Sequence, residues 1–206
     1  MKYILINYNF DPSWVKEYTN DYLIYDRSET DECLKDIPKD KIIKTRNIGQ
    51  VDYDKLGYLV DNYETLPDVF LWGKSNLFKF LTKNEFEFER YKISFTPLFT
   101  QYHKVGRPLC FYDDDGMYNE LNEDAYIHIS KFPNKNYSSY SEFAHHFGLP
   151  NPEYLAFPPG GNYILTKEVV HRYPREFYQD MRSSLPYDVN PAEAHMCERS
   201  YYTLWK

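Results

Sequence analysis

Apolar and polar positions alternate between two periods along the first part of the chain. Tyr3-Ile4-Leu5-Ile6 is a short β-type run that ends in polar Asn7-Tyr8-Asn9. Asp11-Pro12-Ser13 reads as a helix start, with a short helix over Trp14 to Thr19. Tyr22-Leu23-Ile24-Tyr25 predicts a second strand, closed by Asp26-Arg27-Ser28, and Lys41-Ile42-Ile43-Lys44 a third. From Asp52 to Tyr63 the positions Tyr53, Leu56, Leu59, Val60 and Tyr63 keep helical spacing, and Pro67 ends that element. Val69-Phe70-Leu71-Trp72 predicts a fourth strand, broken by Gly73-Lys74-Ser75. Strand and helix in alternation imply an α/β fold: an open, largely parallel sheet with helices on its faces.

Further on the pattern is less regular. The segment Asn76 to Tyr91 predicts one helix, and short strands are expected at Leu109–Tyr112 and Ala125–Ile129. Ser138 to Phe147 reads as a short helix, Asn162 to Leu165 as a fifth strand, and Thr166 as the N-cap of a helix to Tyr173. Two more helices are expected, one from near Pro174 and one from about Pro191 to Trp205. No repeat or linker divides the chain.

Composition narrows the function classes. The 206 residues are 42% hydrophobic and 27% charged, an ordinary globular balance that argues against general disorder. A net charge of −7 withholds the basic field on which non-specific nucleic-acid binding depends, and would be repelled by an anionic membrane surface. No apolar stretch is long enough for a transmembrane helix. The opening apolar run, interrupted by Asn7, Asn9 and Asp11, fits a buried strand better than a signal peptide. Cys33, Cys110 and Cys197 are odd in number and widely spaced, which points to a reducing, cytoplasmic setting without disulfides. The 22 Tyr, 14 Phe and 3 Trp are the unusual feature, since rings with a polar tip suit half-wet clefts as well as cores.

In open parallel sheets the ligand crevice lies beyond the carboxyl ends of the strands. Those ends are Asn7-Tyr8-Asn9, Asp26-Arg27-Ser28, Arg46-Asn47-Ile48-Gly49 and Gly73-Lys74-Ser75, all polar as any loop would be. Asp113-Asp114-Asp115-Gly116 is either a divalent-cation site for Mg²⁺ or Mn²⁺ or a solvated turn. His195 and Glu198 share a helix face, whereas Glu193 points elsewhere; the pair reads as a metal ligand beside a carboxylate, as a base with its partner, or as surface residues near Arg199. Adjacent His145 and His146 diverge on a helix and read as structural. Gly160-Gly161 permits close approach of a ligand to the backbone, or is a plain turn after Pro158-Pro159. Dinucleotide, P-loop and nucleophile-elbow glycine motifs are all missing.

Four ordered groups of residues resemble small glycosyltransferase-like proteins of the GT-A fold. They are Asn7-Tyr8-Asn9-x-Asp11-x-Ser13-Trp14; Asn47-Ile48-Gly49-Gln50; Tyr58 to Leu71 with its Leu66-Pro67-Asp68-Val69 core; and Gly160 to Leu165 with Pro174-Arg175-Glu176-Phe177-Tyr178 and Glu198-Arg199-x-x-Tyr202-x-x-Trp205. The resemblance spans the chain. It implies a single GT-A-like, nucleotide-diphospho-sugar transferase domain over residues 1–206 with a mixed, mostly parallel central sheet flanked by helices. Residues 1–75 would be the nucleotide-binding half and 76–206 the acceptor and metal half.

The activity implied is transfer of a hexose or deoxyhexose from a UDP-type donor to a glycan or polysaccharide. By the resemblance, Tyr8, Asn9, Asp26, Arg27, Asn47, Gly49, Gln50, Trp72 and Lys74 would hold the donor. Gly160, Gly161, Asn162 and Tyr163 would line the acceptor side, and Glu198 or Glu193 would stand near the reacting carbon. His195, with Asp113 and Asp115, would serve a Mn²⁺ or Mg²⁺ ion. One departure stands out: Gly73-Lys74-Ser75 occupies the place where the family usually carries an Asp-x-Asp metal motif. Either metal binds elsewhere, or Lys74 neutralises the diphosphate, or the chain is a non-catalytic sugar- or nucleotide-binding module. A metal-dependent hydrolase using Asp113, Asp115, His195 and Glu198 is the reading from another class.

Overall fold

The structure, a computed structural model, describes residues 1–100, 110–114, 116–122 and 132–206. Its first strand, β1 (Lys2–Asn7), pairs in parallel with β2 (Tyr22–Asp26), which pairs in parallel with β3 (Ile42–Lys44). Helix α1 (Gln50–Asp61) then carries the chain back across the sheet to β4 (Val69–Lys74), parallel to the other side of β1. The sheet is completed by two antiparallel pairings: β5 (Thr96–Pro97) lies against β9 (Tyr163–Thr166), and β9 against β4. The order β3-β2-β1-β4-β9-β5 is therefore mixed and mostly parallel, flanked by helices, with strand order reversing between β1 and β4.

Strand alternation builds both faces. Ile4, Ile6, Phe70, Trp72, Tyr163 and Leu165 point into one core, which is covered by α1, α5 (Arg175–Ser183) and α6 (Ala192–Trp205). Their neighbours Tyr3, Leu5, Leu71 and Ile164 point into the other, covered by Trp14, Val15, Leu77 and Phe86. Elsewhere β6 (Cys110–Tyr112), β7 (Tyr118–Leu121) and β8 (Tyr154–Ala156) form a separate antiparallel sheet, and α3 (Tyr140–His146) and α4 (Lys167–Val170) are short helices. Thr166 caps α4 by accepting from the Val169 N–H at 3.2 Å.

Two sequence expectations change here. Trp14 and its neighbours form a 3₁₀ turn, Ser13–Glu17. The single helix expected over 76–91 is split into a 3₁₀ turn, Leu77–Lys79, and α2 (Lys83–Glu89). The break sits at Thr82, whose hydroxyl accepts from the Glu85 N–H while Glu85 accepts back from the Thr82 N–H at 2.8 Å. Such a reciprocal cap starts a helix and prevents one from running through it. Thr82→Ala is expected to cost about 1 kcal/mol, measured by urea denaturation. The strand expected at Ala125–Ile129 lies outside the described residues.

Candidate functional site

The reversal between β1 and β4 leaves a cleft of about 320 Å³ beyond their carboxyl ends. Tyr8 projects from the end of β1, 51% exposed, and Lys74 and Ser75 come from the end of β4. Asn47 and Gln50 enter from the loop before α1. That loop is tied down by backbone bonds from Gly49 N–H to Asp188 and from Gln50 N–H to Val189. Gly49 has φ +63°, and a Cβ there would meet Tyr53 and Leu185 at under 3 Å, so glycine is required by the turn itself. The first residues of α1, Gln50 and Val51, thus line the cleft together with Lys74.

Asp26 and Arg27 support the cleft from beneath. Asp26 is fully buried and accepts from Asn7 and Ser28 at 2.8 Å and from Lys44 at 2.6 Å. Both oxygens are engaged by these neighbours, so the fully buried carboxylate ties three strand ends together rather than facing the cleft. Arg27 lines the cleft but donates to the carbonyls of Arg46 and Ile48 and pairs with Asp54 at 3.2 Å. Asn9 is exposed, with φ +52°, and its N–H donates to Ser28. Trp72 is completely buried, its indole N–H donating to the Lys55 carbonyl, so its ring offers no face to a nucleotide. Tyr25 is likewise in the core.

Burial pushes Asp54 up to about 6 against the pull of Arg27, Thr45 and Arg182. The unfolded value is 3.8, so between these limits the folded chain keeps a proton that the unfolded chain has released. Stability contributed by this group therefore falls as pH rises through that window. The stability difference between Asp54→Asn and the unaltered chain is expected to move in favour of Asn by about 2–3 kcal/mol from pH 4 to pH 7. Denaturant melts at the two pH values measure it; a constant difference would show that attraction to Arg27 offsets burial.

Next to the cleft lies a chain of opposite charges. Lys74 Nζ is 3.6 Å from Glu198 Oε1, with the two side chains 20% and 18% exposed. Behind them Lys55, 1% exposed, donates to the Gly161 carbonyl and sits 4.4 Å from the centre of the Trp72 ring. Burial lowers the Lys55 ammonium, and burial raises the Asp52 carboxyl beside it. For Glu198 burial acts upward, but Lys74, and after it Arg199, His195 and Lys55, outweigh it and hold the carboxyl below its ordinary range. Arg199 in turn grips Glu120 with two bonds of 3.0 and 3.1 Å, joining α6 to β7.

The glycine-rich turn serves this network. A Cβ on Gly160 would strike the Phe80 ring at 2.7 Å, and one on Gly161 would meet Glu198 at 3.2 Å. Gly160, Gly161, Asn162 and Tyr163 are all buried, so the close approach is by the protein's own side chains and the four present no acceptor-facing surface. Asn162 accepts from the Lys74 N–H at 2.8 Å and holds the end of β4. Tyr163 packs among Trp72, Tyr201 and Trp205.

Glu193 also moves from candidate to framework. It is fully buried and accepts from the N–H groups of Lys135 and Asn136 at 3.0 and 2.8 Å and from the Tyr187 hydroxyl. His195 contacts Asn190 at 3.1 Å and the Phe132 ring. Asp113 accepts from the Met117 N–H and from Asn119, closing the β6–β7 hairpin as a turn residue does. Asp115 lies outside the described residues. Among the described residues, no three His, Cys, Asp or Glu side chains converge to hold a metal ion. Nor, among them, is any helix long and apolar enough to cross a membrane.

Sequence reasoning missed Lys55 and Asp52, and placed Asn7 at a crevice-facing strand end without a role. On α1 the spacing of Leu56, Leu59 and Val60 leaves Lys55 and Asp52 on a face that reads as solvated, so the sequence carries no signal for their burial. Comparison of the chain with family models, with curated proteins and with solved structures returns no match.

Proposed function

We propose that the protein is a GT-A-like glycosyltransferase whose nucleotide-sugar donor lies in the cleft between β1 and β4. The observation that carries this reading is the Lys74–Glu198 pair at the strand-order reversal, where an α/β sheet binds its ligand. The reading assigns Lys74 to the donor diphosphate, in the place where the resembled family uses a metal motif. Tyr8 offers an exposed ring for base or sugar.

In the transfer, the bond from the sugar's anomeric carbon to the diphosphate oxygen breaks and a bond to an acceptor hydroxyl oxygen forms. Lys74 stabilises the negative charge left on the diphosphate. Glu198, held ionised by its cationic neighbours, faces the positive charge that grows on the anomeric carbon. The acceptor proton leaves to Glu198 or to water. A divalent cation, Mn²⁺ or Mg²⁺, carried with the donor diphosphate belongs to the same reading. The hydrolase alternative loses support because the Asp113 oxygens are used within its hairpin.

The test is a thermal-shift screen with UDP, GDP and CMP sugars, each with and without Mn²⁺, followed by a turnover assay on the hits. A shift with sugar transfer or slow sugar release supports the reading. No shift with any nucleotide defeats it, and a shift without turnover would identify a binding module on this fold.

A further inference from the structure

Three residues on the floor of the cleft carry polar atoms that the protein leaves without a partner. Asn7, Ser75 and Asn76 line it, and Asn7 Oδ1, Ser75 Oγ and Asn76 Oδ1 are each buried with no hydrogen bond. An unpaired polar atom at such depth is costly, and three around one cleft point to a group that arrives from outside. Asn7 and Ser75 are at most 1% exposed. Ser75 is fixed in place, its N–H donating to the Ile6 carbonyl at 3.0 Å and its own carbonyl accepting from Trp14 at 2.7 Å.

The orientation of Asn7 is not arbitrary. Its Nδ2 donates to Asp26 Oδ1 at 2.8 Å, and a carboxylate only accepts. Asp26 therefore forces the amide group toward itself and leaves the Asn7 carbonyl oxygen as the unpaired end. Asp26 is locked in turn by Ser28 and Lys44. The floor thus requires a hydrogen-bond donor. Lys74 and Arg27 in the same cleft disfavour a cationic donor, which leaves hydroxyl or neutral N–H groups.

We propose that Asn7, Ser75 and Asn76 form a preassembled floor that takes the neighbouring hydroxyls of a phosphate-bearing ligand, with Asp26 as the positioning residue that frees the Asn7 carbonyl for them. The proposal rests on the donor-cleft reading and adds its hydroxyl requirement. Two sources share this chemistry, the ribose of a nucleoside diphosphate and the ring of a sugar phosphate.

Isothermal titration of the full chain separates them, with UDP, GDP, CDP and ADP set against their 2′,3′-dideoxy forms, and glucose 1-phosphate against 2-deoxyglucose 1-phosphate. A buried acceptor left unsatisfied corresponds to about a tenfold or larger loss of affinity for the deoxy ligand. Asn7→Leu is expected to bring that ratio close to one. Ser75→Ala and Asp26→Asn, the latter removing the constraint that orients Asn7, are expected to lower it part of the way. They keep the test decisive if Asn7→Leu fails to fold.

A hydroxyl-dependent ratio in the nucleotide series assigns the floor to ribose, and in the sugar-phosphate series to the sugar; both support the proposal. Equal affinity for each ligand and its deoxy counterpart overturns it, the floor then being satisfied by water, and leaves the transferase reading standing. A nucleotide bound with the full ratio but never turned over retains the floor and removes the transferase. Failure of every ligand to bind overturns both.

Discussion

Lys55→Met is expected to lower the stability of the folded protein by about 3–5 kcal/mol at neutral pH, the usual cost of removing one partner from a buried ion pair. The methionine fills nearly the same space, so packing against Trp72 changes little. What is lost is the positive charge between Asp52 and Glu198 and the donor to the Gly161 carbonyl. Asp52 is 5% exposed and already raised by burial. Without Lys55 its carboxyl rises further above the unfolded value, so the native state takes up a proton as pH falls.

The sign follows: the penalty of the variant grows as pH rises and shrinks as pH falls. Urea denaturation at pH 5 and pH 8 reads both the size and the direction. Adding Asp52→Asn to Lys55→Met is expected to recover much of the loss, because no buried charge is then left alone. A loss below about 0.5 kcal/mol at both pH values, the scale of an ordinary surface change, would show that Lys55 does not neutralise this network.

The second large effect concerns binding. Lys74→Met is expected to weaken a nucleoside diphosphate about 10- to 150-fold, the range for losing a hydrogen bond to a charged group. The fold is expected to survive, since Arg199 and Lys55 remain beside Glu198 and the Lys74 N–H still donates to Asn162. Loss of the lysine also removes the largest influence holding Glu198 ionised, so that carboxyl is expected to titrate at higher pH. Titration calorimetry in low and high salt, with and without Mn²⁺, measures the first effect. Unchanged affinity would remove Lys74 from the donor site. Glu198→Gln gives the complementary outcome, with affinity retained and turnover lost.

The two effects differ in how visible their residues are in the sequence. Lys74 stands out because it follows a clean apolar strand and precedes a turn, so its place at a strand end was legible. Lys55 is not visible in that way. It lies among Asp52, Asp54 and Asp61 on a helix whose spacing of Leu56, Leu59 and Val60 suggests an ordinary solvated polar face. Packing α1 against both α5 and α6 buries that face as well, and its charges must then find partners inside. Glu193 errs in the opposite sense. A helix wheel separates it from Glu198 correctly, but only the loop carrying Lys135 and Asn136 makes it an internal anchor.

The aromatic excess shows the same limit. Tyr8, Tyr25, Trp72 and Tyr163 stand at or near strand ends and turns, which suggests a cleft wall. Instead α6 lays its aromatic face on β4 and β9, with Tyr201 and Trp205 stacked at 5.1 Å and Trp72 edge-on to Trp205 at 5.3 Å. Tyr8 is the predicted cleft ring that remains exposed.

Local pattern was enough for β1 to β4, β6 and β9, most helices and the polar strand ends, because periodicity and capping act between residues a few positions apart; β5, β7 and β8, two to four residues long, carry too little pattern to be read. It also determined that β1 to β4 belong to a parallel sheet, since helical crossovers join β3 to β4. Only the tertiary structure decided that β9 returns antiparallel beside β4 and brings Gly161 under Glu198. It alone turned Asn7, Asp26, Lys55 and Asp52 inward and set their partners. Those pairings join distant parts of the chain, and burial gives each its energetic weight; neither the distance closed nor the water removed is written in local pattern.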